Sequence, residues 1–328
     1  MSNTGVTPNF GIKWELVINT TPDSQGNQQQ LSFSQSDFSS EGLQIEFFVF
    51  QSAKTDGGWW RAEIVIYGLN SPTLNLVLTQ GLEVVLSAGF QNGGPYGLIW
   101  QGVLMQPMFE LENVTSYKLT LLCMIGLVQN TNQLVNGSFA KNSTQRQVVA
   151  AMASKYANPP IPVQDISGVD DQNRSSRGSI VFGQPYDYFA DIAKVNLNNF
   201  WISNQGLNIK NLGSLLENNP NPSPDFTYDY TNGLVGTPQQ TQDGVEFNVL
   251  LDPRLQIGSV VQLNPLNVAI NQFVNNGGNL NLLNQLTQPA TYVVGGLEHY
   301  GSSRGNTWFT KVIGYTTALG KLALLAGA

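Results

Sequence analysis

The chain has 328 residues, of which 41% are hydrophobic and only 11% charged, with a formal net charge of −7 and a pI of about 4.7. No cluster of Lys and Arg occurs in it, which excludes nucleic-acid binding by phosphate neutralisation. A charged content so far below the usual ~25% leaves Asn, Gln, Ser and Thr to fill the surface, which suits a protein covered by partners or reflects a compositional habit of its source.

The opening MSNTGVTPNFG is polar and has no signal-peptide core. Residues 1–126 then read as all-β. WELVINT (14–20), LQIEFFVFQS (43–52) and WWRAEIVIYGL (59–69) are rich in aromatic and β-branched residues and bounded by Gly, Asp and Ser. EVVLSAGF and GLIWQGVL are joined by the turn signal QNGGPYG, and a strand over 114–126 completes about six strands, enough for a small barrel or sandwich. Cys123 lies in the apolar run LTLLCMIG, which predicts a buried, inert thiol, and as the single cysteine it can form no intrachain disulfide.

Residues 127–225 change character and predict a smaller α/β unit. QRQVVAAMASKY (145–156) has Val148, Val149, Met152 and Tyr156 on one helical face, with Ser143 or Thr144 as cap. A polar loop spans 168–178, a second short helix covers PYDYFADIAK, and FWISNQGLNIKNLG forms a hairpin turning at Asn204-Gln205-Gly206. NNPNPSP (218–224) punctuates the chain, and residues 226–316 return to β, interrupted by a long Asn- and Leu-rich loop at 265–289. The tail 317–328 carries ALGKLALLAGA, too short to span a bilayer. The expectation is a chain made in a cytoplasm that inserts in no membrane.

Little in the sequence points to catalysis. The single histidine, His299, cannot build a metal cluster or a triad with the core-strand Cys123, and its neighbour Glu298 points to the opposite face of a strand. Gly301–Gly305 matches G-x-S-x-G around Ser303, but a strand pattern follows and no later histidine exists, so a hairpin loop is the better reading. The pairs Glu110/Glu112, Asp170/Asp171 and Asp225/Asp229 read as solvated faces, although Glu110 with Glu112 share a strand face as a hydrolase pair would. No catalytic, metal or cofactor residue is assigned.

The two β-regions repeat one another. AEIVIYGLNSPTLNLVLTQGLEVVLSAG (62–89) and VEFNVLLDPRLQIGSVVQL (245–263) each give a strand, a polar turn with a proline (Pro72, Pro253), a glycine (Gly81, Gly258) and a strand centred on Val84-Val85 or Val260-Val261. Each is followed by two further strands: GLIWQGVLMQP with SYKLTLLCMIG, and TYVVGGLEHYG with NTWFTKVIGYT. The predicted fold is therefore mainly β with a smaller α/β part: two similar β-barrel domains flanking a central α/β domain.

Four passages in order carry a resemblance: IVIYGLNSPTLNLVLTQGLEVVLSAGF, GPYGLIWQGVLMQ, FGQPYDYFADIAKVNLNNFWISNQGLNI and GLVGTPQQTQDGVEFNVLLDPRLQIGSVVQL. Together they resemble the baseplate hub proteins of tailed bacteriophages, which are related to the hub part of type VI secretion spike proteins. The resemblance implies tail-tube-like barrels and a non-enzymatic, structural virion protein without cofactors. It implies a homotrimer that adapts a six-fold tail tube to a three-fold central spike and lines the DNA channel without binding DNA specifically. Implied partners are the tube protein, the spike protein, other inner baseplate proteins and the tape measure protein, with assembly in the bacterial cytoplasm. Partner-binding candidates are Leu322, Leu324 and Leu325 of the tail and the pair Trp59, Trp60. The competing reading is a tail-associated carbohydrate-binding β-sandwich, an adhesin, with Trp59, Trp60, Trp100 and Trp201 as sugar-stacking rings.

Overall fold

The computed structural model describes residues 10–35, 43–53, 60–111, 117–125, 134–156, 160–213, 223–241, 244–263 and 290–315. The first β-region contains β1 (Phe10–Thr20), β2 (Gln30–Gln35), β3 (Gln44–Ser52), β4 (Arg61–Tyr67), β5 (Gly81–Asn92), β6 (Tyr96–Leu111) and β7 (Tyr117–Met124). Alternation forms these strands: along β3 every second residue from Ile45 to Val49 is buried.

Between β4 and β5 the sequence predicted a polar turn, and the structure corrects this to a helix, α1 (Ser71–Gln80). The Asn70 side chain accepts the Thr73 N–H at 2.9 Å and caps the first turn, and Pro72 sits where a helix needs no N–H. Leu74 and Val77 bury its inner face. The corresponding stretch around Pro253 consists of turns, so the repeat diverges here.

The middle of the chain builds a separate small unit. It comprises β8 (Val135–Phe139), α2 (Gln145–Ala151), β9 (Val163–Asp165), β10 (Ser179–Gly183), α3 (Pro185–Val195), β11 (Asn199–Ser203) and β12 (Gly206–Lys210). Thr144 caps α2 in a reciprocal capping box with Gln147, and a π-turn at Met152–Tyr156 ends it. Strands β8 and β10 pair with each other, and β11-β12-β9 form a three-stranded sheet. Val149, Met152, Phe189, Phe200 and Leu207 make a core of their own.

The last β-region contains β13 (Phe226–Tyr228), β14 (Leu234–Gln240), β15 (Gly244–Leu250), β16 (Val260–Leu263), β17 (Ala290–Ser302) and β18 (Trp308–Tyr315). The two β-regions join in one 13-stranded sheet, ordered β14-β15-β18-β17-β3-β4-β7-β6-β5-β1-β2, with β16 on β17 and β13 on β16. One hydrophobic core runs under both regions, from Trp14 and Leu16 through Trp100 and Leu121 to Val249, Leu297 and Val312. The loop predicted at 265–289 lies outside the described residues, as do 317–328.

The repeat is present in the strand order. β3-β4-β7-β6-β5 in the first region has the same order and antiparallel pairing as β14-β15-β18-β17-β16 in the last. The registers of the β6–β7 and β17–β18 hairpins agree residue by residue. Pairs Val103↔Met124 and Val293↔Tyr315 correspond, each hairpin slips once just beyond, and Leu111↔Tyr117 then corresponds to Gly301↔Trp308. Gly81 corresponds to Gly258, but the valines shift by one from the sequence reading: the buried Val84 matches the buried Val261.

Candidate assembly surface

The structure brings the two repeats together at a strand-to-strand junction. The second half of β17 runs antiparallel to β3, from Gly296↔Ser52 to Ser302↔Glu46. Ala53 N–H donates to the Gly295 carbonyl at 3.0 Å at one end, and Ser303 N–H donates to the Ile45 carbonyl at 2.9 Å at the other. Phe48 and Tyr300 pack against each other across the ladder, their rings tilted and their centroids 5.0 Å apart. Phe47 meets Trp308 edge-on at 5.3 Å, and the Trp308 indole N–H donates to the Gly89 carbonyl at 3.1 Å, so side chains of each repeat are buried by the other.

A buried polar chain lies beneath this junction. His299 Nδ1 and Thr310 Oγ1 share a hydrogen bond of 2.8 Å, and Asp252 N–H donates to the same hydroxyl at 3.2 Å. Tyr228 OH donates to Asp252 Oδ2 at 3.0 Å, and the Arg254 guanidinium donates to both Asp252 oxygens at 2.9 and 2.7 Å. Asp252 is thus a buried charge fully met by donors, as buried charges must be. Burial lowers the His299 pKa to about 4 against the opposing pull of Asp252, so the ring is neutral. Burial, then the Asp252 charge, raises the Tyr228 phenol well above its ordinary range.

A cavity of about 330 Å³ separates the large sheet from the middle unit. Gln51, Trp60 and His299 face it from one side, and Trp201, Asn208 and Lys210 from the other. Lys210 Nζ is committed to Asp165 at 3.4 Å and lies over the Trp201 ring. Among the described residues no three His, Cys, Asp or Glu side chains gather as a metal site would need.

The predicted site residues fall as follows. Trp60 is buried, and its indole N–H donates to the Ser52 carbonyl at 3.1 Å. Trp59, Leu322, Leu324 and Leu325 lie outside the described residues. Trp100 and Trp201 are buried in the protein's own core, at 0% and 3% exposure, so their rings do not form an open sugar platform. Glu110 is exposed, while Glu112 lies outside the described residues. Gly301 and Ser302 end β17 and Ser303–Gly305 begin the turn to β18, and Ser303 Oγ accepts the Ile45 N–H at 3.0 Å, which makes it a junction residue. Burial pushes the Cys123 thiol up to about 12, in keeping with an inert core residue.

Sequence reasoning missed a row of exposed apolar side chains on β6, Met105, Phe109 and Leu111, with Tyr117 of β7 beside them. The signal was there: Pro107, Phe109 and Leu111 alternate beyond the point where the proline reads as a stop.

Among the described residues the chain is a repeated antiparallel β-unit with a small α/β unit between its copies. The sequence profile of the family Baseplate hub gp41 matches residues 78–277, more than half of the chain, and the chain belongs to that family. It is similar in fold to the 43 kDa tail protein of prophage MuSo2 from Shewanella oneidensis, with a TM-score of 0.53 at 9% identity, covering 93% of this chain and 98% of that one. A tail protein from Neisseria meningitidis MC58 matches with a TM-score of 0.50 at 10% identity, covering 95% and 98%. A component of the type VI secretion system from E. coli gives a TM-score of 0.48 at 8% identity, covering 85% and 75%. No curated protein matches the sequence.

Proposed function

We propose that the chain is a trimeric baseplate hub that adapts a six-fold tail tube to a three-fold spike and lines the channel through which DNA passes. The observation that carries this reading is the repeat: one chain holds two β-units of the same strand order and register. Three copies in a ring then offer six near-equivalent units on one face while the whole keeps three-fold symmetry. The net charge of −7 supports a lumen that repels the DNA phosphates. Partners on this reading are the tube protein, the spike protein, the tape measure protein and other inner baseplate proteins, with Leu322, Leu324 and Leu325 of the tail as docking residues.

The test is native mass and imaging of the purified full chain, alone and with its tube protein. The expected result is a ring of three copies with a central hole. A chain that stays monomeric at every concentration and in the presence of the tube protein sinks the reading.

A further inference from the structure

We infer that the cavity between the large sheet and the middle unit is a binding site for a primary carboxamide, the group that ends an Asn or Gln side chain. The site lies within one chain, so it does not depend on how many copies assemble.

The cavity, about 330 Å³, falls in the ~300–1,000 Å³ range of small-molecule sites. Three buried polar side chains on its two walls carry the argument. Gln51 of β3 and His299 of β17 stand on the sheet, and Asn208 of β12 stands on the middle unit. They are 6%, 2% and 2% exposed, and each spends only part of its hydrogen-bonding capacity on the protein.

Local partners settle how each group is oriented. Gln51 Nε2 donates to the Ile99 carbonyl at 3.1 Å, which only the amide nitrogen can do, so Oε1 is left as an acceptor. Asn208 Nδ2 donates to the Gly206 carbonyl at 3.0 Å and to Gln164 Oε1 at 2.8 Å, so Oδ1 is left as an acceptor. The Thr310 hydroxyl accepts the Asp252 N–H, and its own proton finds an acceptor in His299 Nδ1 at 2.8 Å. The neutral His299 ring then carries its proton on Nε2, which is left as a donor.

Gln51 Oε1, Asn208 Oδ1 and His299 Nε2 have no partner among the described residues, yet none of them is sealed inside the protein. On side chains this buried, the space that they border is the cavity. The pairs Leu297↔Gln51 and His299↔Val49 lie two residues apart on one face of the β17–β3 ladder, so Gln51 and His299 are diagonal neighbours.

Two acceptors and one donor therefore open on the cavity, and their complement is a group with one acceptor and two donors. A primary carboxamide is that group: its oxygen takes the His299 N–H, and its two N–H bonds go to Gln51 Oε1 and Asn208 Oδ1. A carboxylate has no proton to give and would face two amide oxygens. Lys210, the charged residue of the wall, is committed to Asp165 at 3.4 Å, so no unpaired charge attracts an ion. The Trp60 and Trp201 rings supply apolar wall for the stem that carries the amide.

The test is ligand-observed NMR titration of the full chain with two primary amides: butyramide, a free small molecule, and acetyl-glutamine methylamide, a side chain on a peptide. Butyrate and acetyl-glutamate methylamide, which differ from them only in the end group, are the controls. The expected result is binding of an amide and of neither acid. Gln51→Leu is expected to weaken the amide about tenfold, the loss for one hydrogen bond. Gln256→Trp, at an exposed position on the cavity rim, is expected to abolish binding by blocking the entrance while the fold stays intact. Butyramide binding alone supports the site for a free small amide, and binding of the glutamine peptide as well supports it for a polypeptide side chain. Amide and acid binding alike, or amide binding that Gln256→Trp leaves unchanged, overturns the site. So does the absence of binding up to about 100 mM, which leaves the cavity to water.

Discussion

Met105 of β6 and Gly295 of β17 are the bulged residue at the same step of two equivalent hairpins. Each is skipped when the ladder passes from Leu104 to Gln106 and from Val294 to Gly296. A bulge adds twist and re-aims the strand beyond it. Its occurrence at one step of both repeats means that both β-units bend at the same place, and in the last repeat the bend is where β17 leaves β16 and takes up β3.

The two bulged positions differ in what surrounds them. Met105 points outward and is 47% exposed, while a Cβ at Gly295 would collide with the Tyr315 ring. Gly295→Ala is therefore expected to lower the unfolding free energy by about 1–3 kcal/mol, the range for overpacking, read from a lower denaturant midpoint. Adding Tyr315→Ala is expected to recover part of that loss, and the non-additivity in a double-mutant cycle measures the clash. Strict additivity would show that the glycine is not needed for the ring.

His299 gives the protein an acid-sensitive core. Its pKa is about 4 folded and about 6.5 unfolded, so between these values the unfolded chain takes up a proton that the folded chain refuses. Stability from this group is complete above pH 6.5, falls as the pH drops toward 4, and levels off below. The full loss is about 3 kcal/mol. Thermal melts from pH 7 to pH 4 are expected to show a steeper loss for the native chain than for His299→Gln. Parallel curves would mean that carboxylates alone set the acid response.

The strand alternation, the helix after a cap at Ser143 or Thr144, of which the structure uses Thr144, and the core placement of Cys123 were legible because each depends on local pattern: alternation, helical spacing or a capping residue next to its helix. The helix at 71–80 was not, since SPTLNLVLTQ offers few apolar positions, and its start rests on the Asn70 cap and Pro72 that a turn would also use. The junction was out of reach for another reason. Pairing Tyr300 with Phe48 joins strands about 250 residues apart, and nothing local in LEHYG or EFFVF specifies it. Trp60, Trp100 and Trp201 are buried, which residue type alone did not settle, because it does not tell a core ring from a binding ring.

Asp252 organises the turn that replaces α1 in the last repeat. It accepts from the buried Tyr228 hydroxyl and from Arg254, whose side chain is 59% exposed. Asp252→Asn keeps the shape but removes the charge, and a cost of about 1–3 kcal/mol is expected from the weakened buried bonds. Tyr228→Phe on the Asp252→Asn background is expected to cost less than in the native chain, because the hydroxyl has already lost its charged acceptor. Equal costs in both backgrounds would show that the pair does not act together.

Phe47 tests whether the two repeats fold as one. It is 4% exposed, belongs to β3 of the first repeat, and packs edge-on against Trp308 of the last. Because one core runs under both regions, the large sheet is expected to unfold in a single step. Phe47→Ala removes a buried ring at the seam and is expected to cost about 3–5 kcal/mol. Leu121→Ala, well inside the first repeat, is expected to cost about 2–5 kcal/mol of stability through the same kind of cavity. If the seam is an integral part of the core, both variants keep a single denaturant transition, followed by Trp fluorescence and by circular dichroism. If Phe47→Ala alone splits the transition in two, the repeats are independent folding units held by one ladder, and the β17–β3 junction is an interface between domains.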